Sequence, residues 1–167
     1  STDNKWKASD AVIYRAIYPF GDSKAITGKA TVNGGSCTAT AATATAAAIG
    51  SAAPCISSDG VAQSTCELHV KNATLYAETK GGKNAWGVGA GGPLELENCS
   101  INAISSAEQA YGVIAYDGES TIKNCTITTT TGTTASYGIF AYGAVMSAGV
   151  KNEPIITIEG NTVNATS

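Results

Sequence analysis

The stretch "TIKNCTIT" (residues 121–128) decides the fold, because close copies of it recur along the chain. The copies read "HVKNATLY" (69–76), "ELENCSIN" (95–102) and "TIEGNTVN" (157–164), with a weaker one in "ITGKATVN" (26–33). Aligning them gives one column of small residues, here called the anchor column: Ala30, Ala73, Cys99, Cys125 and Asn161. The spacing between Cys99 and Cys125 is 26 residues, and the same spacing separates Ala73 from Cys99, which indicates a structural repeat.

A second phrase lies between the anchors and reads "AWGVGAGG" (85–92), "AYGVIAYDG" (110–118) and "SYGIFAYGA" (136–144). Apolar and polar residues alternate over short distances, a pattern typical of strands and not of helices. Units made only of short strands bury no face alone, so they must stack with each strand about 4.8 Å from its counterpart. The sequence therefore predicts an all-β fold, a single-stranded parallel β-helix (solenoid) with coils of about 26 residues.

We expect a single solenoid domain over residues 1–167, with three parts. Residues 1–25 do not follow the repeat, which favours an irregular N-terminal cap or a strand exchanged with a neighbour. Residues 26–58 are rich in Ala and Thr and predict a flat, low-complexity coil. Residues 59–167 carry the clear repeats and predict regular coils.

The phrases "IKNCTI" and "IEGNTV" resemble the coil motif of the right-handed parallel β-helix superfamily, the pectate-lyase-like fold, over about residues 59–167. In that superfamily the anchor column faces the interior and often carries stacked Asn. Asn161 matches this pattern, and Cys99 and Cys125 replace the amide with another small side chain. The resemblance implies a fold and not an activity. Because no catalytic phrase of that superfamily occurs in the chain, we expect no catalytic residue and no enzyme.

The repeat places Cys99 and Cys125 at equivalent positions of adjacent coils. A separation near the strand spacing of about 5 Å is compatible with a disulfide, so the pair is expected either as a disulfide or as a ladder of stacked thiols. For the remaining cysteines, a Cys55–Cys66 disulfide is the first interpretation and Cys37–Cys66 the second.

Composition excludes several classes of function. Charged residues make up 14% of the chain and the net charge is −3, which argues against binding to nucleic acid. No apolar stretch approaches the length of a membrane span. None of the five cysteines forms a C-x-x-C pair, and His69 is the single histidine, so no metal and no cofactor are expected.

Four Asn-X-Ser/Thr sequons are candidates for N-glycosylation, at Asn72, Asn98, Asn124 and Asn164. The first three fall in one column just before the anchor, so a stacked row of Asn amides is the alternative interpretation. The sequons, the cysteine content and a chain that begins at Ser1 without an initiator Met favour an extracellular or cell-surface protein from which a signal peptide has been removed.

The chain stops at Ser167, shortly after the last repeat, so we expect the last coil to have no cap. Alternation in the second phrase predicts an outward apolar strip, a candidate surface for self-association, that comprises Ile114, Tyr116, Phe140 and Tyr142. The alternative is that residues 145–154 fold over this strip. We therefore predict a non-catalytic, secreted structural subunit that associates with copies of itself through the solenoid ends, as in a filament, surface coat or adhesin stalk.

Two alternatives concern binding to other surfaces. Trp86, Tyr111 and Tyr137 are aromatic rings that would stack on sugars in a carbohydrate-binding solenoid, and glycans are then a partner. A column of hydroxyl residues would suit an ice-binding solenoid, and it comprises Thr31, Thr74, Ser100, Thr126 and Thr162. A further column alternates in charge along Lys71, Glu97, Lys123 and Glu159, which indicates a structural charge ladder.

Overall fold

The computed structural model describes residues 5–9, 15–17, 27–43, 45–51, 55–56, 62–132, 134–143 and 153–167. Every regular element in these ranges is a β-strand. In chain order the strands are β1 (Lys5–Ser9), β2 (Arg15–Ile17), β3 (Thr27–Asn33), β4 (Ser36–Ala41), β5 (Ala46–Ser51), β6 (Cys55–Ile56), β7 (Ala62–Lys71), β8 (Thr74–Thr79), β9 (Ala85–Ala90), β10 (Leu94–Glu97), β11 (Ser100–Ser105), β12 (Ala110–Ala115), β13 (Glu119–Lys123), β14 (Thr126–Thr131), β15 (Ser136–Ala141), β16 (Ile155–Glu159) and β17 (Thr162–Thr166).

The strands form three parallel sheets that the chain visits in a fixed order. Sheet A runs β1-β4-β8-β11-β14-β17, sheet B runs β2-β5-β9-β12-β15 and sheet C runs β3-β7-β10-β13-β16. Each coil passes through sheet C, then sheet A, then sheet B, and the next coil begins again in sheet C. The chain is therefore all-β, with the coil-on-coil architecture of a β-solenoid, and the short β6, which pairs antiparallel with β7, is the one exception to parallel pairing among the described strands.

The register confirms the repeat across its regular part. Leu96 of β10 pairs with Val70 below and Ile122 above, and Ile101 of β11 pairs in the same way with Leu75 and Ile127. These side chains point inward and are fully or almost fully buried, because the central coils place a branched aliphatic residue at the same register position of sheets A and C. The core is thus a set of apolar columns that run along the solenoid.

The corner between sheets C and A has the same form in every coil. Two residues connect the strands, and the first is Gly34, Asn72, Asn98, Asn124 or Gly160, each with a positive φ between 51° and 79°. Glycine adopts this conformation freely, and Asn is the side chain that tolerates it best. The Asn-X-Ser/Thr pattern therefore has a backbone role at three corners.

In sheet B the alternation of buried and exposed residues along a strand is interrupted. Gly112 and Val113 are both buried, and a Cβ added to Gly112 would lie 2.2 Å from Cγ2 of Ile127 in the next coil of sheet A. Gly87 meets Ile101 and Gly138 meets Val163 in the same way. The Gly of each "WG" or "YG" pair thus leaves room for a sheet A side chain one coil further along.

Some assignments from the repeat require correction in the first coils. Val32 pairs with Val70, so Ala30 stands opposite Leu68 and Gly35, not Ala30, occupies the anchor position before β4. β3, β4 and β5 together form a coil in register with the next one, and β5 belongs to sheet B. β1 and β2 pair in parallel with β4 and β5 of the same chain, and the expectation of an irregular cap or an exchanged strand over residues 1–25 stays a prediction. The rest of residues 1–25 lies outside the described ranges.

The connections between sheets B and C differ most in length from coil to coil. Residues 91–93 and 116–118 make this corner short in the central coils, whereas residues 18–26, 52–61 and 142–154 make it long in the three others. The register on both sides of the long connections is unchanged, because Lys123 of β13 still pairs with Glu159 of β16. The large variation in connection length thus lies at one edge of the solenoid, since the connections between sheets A and B differ by a single residue.

Candidate functional site

The C-terminal end of the described solenoid exposes residues that belong to its apolar columns. Ile158 continues the column of Ile122 and is 55% exposed, and Val163 continues the column of Ile127 and is 44% exposed. Ile122 and Ile127, with which they pair in the preceding coil, are completely buried. Because β15, β16 and β17 each have a neighbour on one side only among the described strands, this end presents unpaired backbone together with apolar side chains.

The outer face of sheet B carries a cluster of aromatic rings, here called the aromatic flank: Trp86, Tyr111, Tyr116, Tyr137, Phe140 and Tyr142. Tyr111 and Tyr137 stack with ring centroids 5.0 Å apart and planes 14° from parallel. The ring centroid of Phe140 lies 5.4 Å from that of Tyr111 and 6.2 Å from that of Tyr142. The parallel register explains the cluster, because it places the ring before each glycine of "WG" or "YG" directly above its counterpart.

The structure places the predicted strip on this flank, with one correction. Ile114 is 3% exposed and lies in a groove lined by Trp86, Tyr111 and Phe140, so the rings cover it. Tyr116 and Phe140 are half-buried, and Tyr142 is 46% exposed. The strip therefore presents rings to the surface and not the aliphatic Ile114. The loop 145–154, predicted as a possible cover, lies mostly outside the described residues.

The anchor column holds a chain of hydrogen bonds between coils. Asn161 accepts the backbone N–H of Cys125 through Oδ1 at 2.7 Å and donates Nδ2 to the carbonyl of Ile122 at 2.7 Å. Cys125 Sγ accepts the backbone N–H of Cys99 at 3.4 Å, and the Cys99 thiol donates to the carbonyl of Val70 at 3.4 Å. A thiol and an amide thus fill the same role at this position.

Cys99 and Cys125 are free thiols, so the structure has the stacked ladder and not the disulfide. The neighbouring Cys125 side chain and burial raise the pKa of Cys99, and the contact with Cys99 lowers the pKa of Cys125. Cys66 is free and buried, which leaves it unbonded to Cys55 or Cys37. Cys37 is also free, and burial raises its pKa to about 11. The side chain of Cys55 lies outside the described part.

Three of the four sequon asparagines form a row on the surface. Asn98 Nδ2 donates to Asn72 Oδ1 at 3.4 Å, and Asn72 Nδ2 donates to Asn33 Oδ1 at 2.9 Å. The nearest heavy atom to a Cβ placed on Gly160 is Oδ1 of Asn124, at 2.4 Å. Asn164 lies apart from this row on β17, where it is exposed. The bond between Asn98 and Asn72 matches the structural alternative at these two corners, and glycosylation stays a prediction.

The outer face of sheet C carries a network of charges. The predicted ladder is in register, and Lys71 bonds Glu97 at 2.8 Å while Lys123 bonds Glu159 at 3.0 Å. Lys71 also reaches Glu95 at 2.9 Å. Hydrogen bonds to Glu97 and Glu95 raise the pKa of Lys71, and the bond from Lys71 lowers the pKa of Glu95.

A second part of this network was missed at the level of sequence. His69 Nδ1 lies 2.7 Å from Glu95, and its Nε2 lies 3.3 Å from Glu67. The sequence contained the information needed to predict the contact between His69 and Glu95, because the two residues occupy one column once the repeats are aligned. These groups line a groove of about 640 Å³, in which the carboxylates of Glu67 and Glu95 both have cationic or imidazole partners. Opposite charges on neighbouring strands favour this pairing of the strands in sheet C.

The hydroxyl column is real over part of its predicted length. Thr74, Ser100, Thr126 and Thr162 are in register on sheet A and all are exposed. Thr31 pairs with His69 in sheet C instead, and Ser36 takes its place beside Thr74. The adjacent column contains Tyr76 and Asn102, so the face mixes side chains of very different size.

In the described ranges, no three His, Cys, Asp or Glu side chains come together to hold a metal ion. The part of the chain that the structure describes also contains no helix long and apolar enough to cross a membrane. Comparison of the chain with protein-family models, with curated proteins and with solved structures gives no match.

Proposed function

We propose that the protein is a non-catalytic structural subunit that associates with copies of itself through the ends of its solenoid. The observation that carries this proposal is the exposure of Ile158 and Val163, which continue interior columns whose other members are buried. An apolar end with unpaired strand edges favours the addition of further strands. Because a contact between two different ends does not close on itself, such an assembly is an open filament.

The proposal includes membership of the pectate-lyase-like superfamily, on the basis of the coil motif. A right-handed course of the coils is the corresponding proposal for the fold. Extracellular or cell-surface localisation is part of it as well, supported by the sequons at the corners and by Asn164, which is exposed on β17. Enzyme activity is not part of the proposal. The carboxylates Glu95 and Glu97 both bond Lys71, which favours a structural role for them.

The test is the association state of the intact chain over a wide range of concentration, followed by sedimentation velocity and by negative-stain electron microscopy. We expect oligomers that lengthen with concentration. Ile158→Lys places a charge on the apolar end and is expected to keep the chain monomeric, because burying an unpaired charge is strongly unfavourable. Thr157→Lys is the matched control, since Thr157 is on the same strand but faces outward beside Thr121.

An intact chain that stays monomeric at every concentration would overturn the proposal. Equal association of the two lysine variants would show that contact occurs elsewhere. Circular dichroism of both variants checks that they fold, which we expect because Ile158 and Thr157 are exposed in the single chain.

The aromatic flank favours a second candidate, binding to carbohydrate. Trp86, Tyr116 and Tyr142 line a groove of about 320 Å³ with Asn84 at its side, and the described residues that line it are all uncharged. Aromatic faces with a few polar groups suit uncharged sugar rings. A glycan array tests this candidate. Tyr142→Ala should remove retention if the groove binds sugars, whereas Thr130→Ala, exposed on sheet A, should not.

A further inference from the structure

The two ends of the solenoid are not flush. Among the described strands, the parallel stack of sheet A has six strands and the parallel stacks of sheets B and C have five each, with β6 paired beside β7 in sheet C. At the N-terminal end sheets A and B begin with β1 and β2, and sheet C begins with β3 in the following coil. At the C-terminal end sheets C and A finish with β16 and β17, whereas sheet B finishes one coil earlier with β15.

These steps determine how a second copy can continue the stack. If β2 of the second copy pairs with β15 and β3 of the second copy pairs with β16, sheets B and C become continuous. The same placement brings β1 of the second copy to the position that β17 already occupies. Beyond that position lies β4 of the second copy, the partner of its own β1. One strand is therefore in excess at the junction, and it lies in sheet A.

The register shows that β17 can replace β1. β1 pairs Trp6 with Cys37 and Ala8 with Ala39. The sheet A register runs from Cys37 through Leu75, Ile101 and Ile127 to Val163, so β17 continued onto β4 of a second copy would set Val163 at the register position of Trp6. Ala165 then matches Ala8, and Thr166 matches Ser9. Both strands have five residues, "KWKAS" and "TVNAT", with an apolar residue second and Ala fourth.

We infer that self-association proceeds by strand exchange, in which β17 of one copy displaces β1 of the next copy from β4. This inference rests on the proposed end-to-end association and adds its mechanism. Displacement breaks one parallel pairing, of an edge strand with β4, and forms three: β17 on β4, β2 on β15 and β3 on β16. β1 therefore limits association in the single chain, because it occupies the edge that the neighbouring copy must use.

The first experiment removes β1 by deletion of residues 1–9. We expect the deletion variant to associate at a concentration at least about tenfold lower than the intact chain, since no strand has to be displaced. The matched control is the intact chain with Lys5→Ala and Lys7→Ala, which removes the two charges of β1 but keeps the strand. This control separates an effect of charge from an effect of the strand itself.

The second experiment locks β1 in place with Trp6→Cys. Trp6 and Cys37 are register partners on adjacent parallel strands, a spacing that lies within the disulfide range. Glutathione disulfide oxidises the introduced thiol and the Cys37 thiol to a disulfide within the chain, and it is itself reduced to two molecules of glutathione, which take up the two thiol protons. We expect the oxidised variant to stay monomeric and the same variant to associate after reduction.

The outcomes separate the exchange from the association it rests on. If the intact chain associates while the deletion variant associates no better, or if the oxidised and reduced forms associate equally, strand exchange is wrong and end-to-end association stands. If neither the intact chain nor the deletion variant associates, the proposed function itself is wrong. Should the deletion variant fail to fold, the oxidised and reduced pair decides alone, and should the disulfide fail to form, the deletion variant decides.

Discussion

Asn161 holds the backbone of Cys125, one coil below it, through a hydrogen bond of 2.7 Å from the Cys125 N–H to the Asn161 side-chain oxygen. The same amide donates to the carbonyl of Ile122, so it bonds a backbone donor and a backbone acceptor of the corner below. Asn161→Ala removes both bonds. We expect a loss of roughly 1–3 kcal/mol in the free energy of unfolding, measured by urea denaturation.

Thr162→Ala is the control for Asn161→Ala, because Thr162 is the next residue and its side chain is exposed. Its effect should stay within about 0.5 kcal/mol. Equal effects of the two changes would mean that the amide does not join the coils.

The glycines of sheet B make a second prediction. Gly112→Ala would set a Cβ 2.2 Å from Cγ2 of Ile127 and 2.5 Å from the carbonyl oxygen of Gly138. Since one of these neighbours is backbone, we expect a loss of roughly 1–3 kcal/mol or more in thermal or urea unfolding. Gly132→Ala is the matched control, because the nearest atom to its added Cβ is 3.9 Å away. A Gly112→Ala protein as stable as the control would contradict the packing described for sheets A and B.

The corner asparagines make a third prediction. Asn98 has a φ of 53°, and its column contains Gly34 and Gly160. Asn98→Gly and Asn98→Ala both remove the amide bond to Asn72, but only alanine is strained at this φ. We expect the alanine variant to be about 1 kcal/mol less stable than the glycine variant in urea denaturation. Since both variants lack the amide, an alanine variant as stable as the glycine variant, or more stable, would contradict a backbone role for Asn98.

The pH dependence follows from the ion pairs of Lys71. Lys71 holds the pKa of Glu95 below its ordinary value, so the stabilisation is present above the pKa of the unfolded chain and is lost as the pH falls through the pKa of the folded one. We expect stability to decrease below about pH 4, and Lys71→Met to weaken that dependence. Lys83→Met, in the loop between β8 and β9, is the control. An unchanged pH profile in Lys71→Met would contradict a role for the pair.

The thiol ladder makes a fifth prediction. If Cys99 and Cys125 are free, the chain unfolded without reductant should react with an alkylating reagent at both positions, as read by peptide mass spectrometry. In the folded protein both should react slowly, because both are buried. Protection of this pair after unfolding, relieved only by reductant, would restore the disulfide as the correct interpretation.

Sequence reasoning was most successful where side chains repeat. Cys99 and Cys125 share a column with Ala73 because small residues recur there, and the aligned aliphatic residues identify the interior. It failed at Ala30, since the anchor position of that coil is Gly35, which has no side chain to align. The local phrase "GKATVN" resembled the motif, but its strand is offset from the others.

The site was predictable only in part. The rings of the aromatic flank follow from the second phrase, but the burial of Ile114 does not, because it depends on how Phe140 and Trp86 lie over it. The uneven C-terminal end of the solenoid could not be predicted from the sequence, for a different reason. Only the strand order shows that sheet B finishes one coil before sheet A.

The uneven corner between sheets B and C has a practical consequence for protein engineering. The strands on either side of residues 52–61 and 142–154 meet this edge, and β7 and β16, which follow these two connections, are in register with their neighbours. The short connection at residues 116–118 lies at the same edge between them. Foreign peptides grafted there would project sideways in a single line, with spacing set by the rise of one coil. The solenoid would then serve as a ruler for displaying epitopes about 5 Å apart per coil.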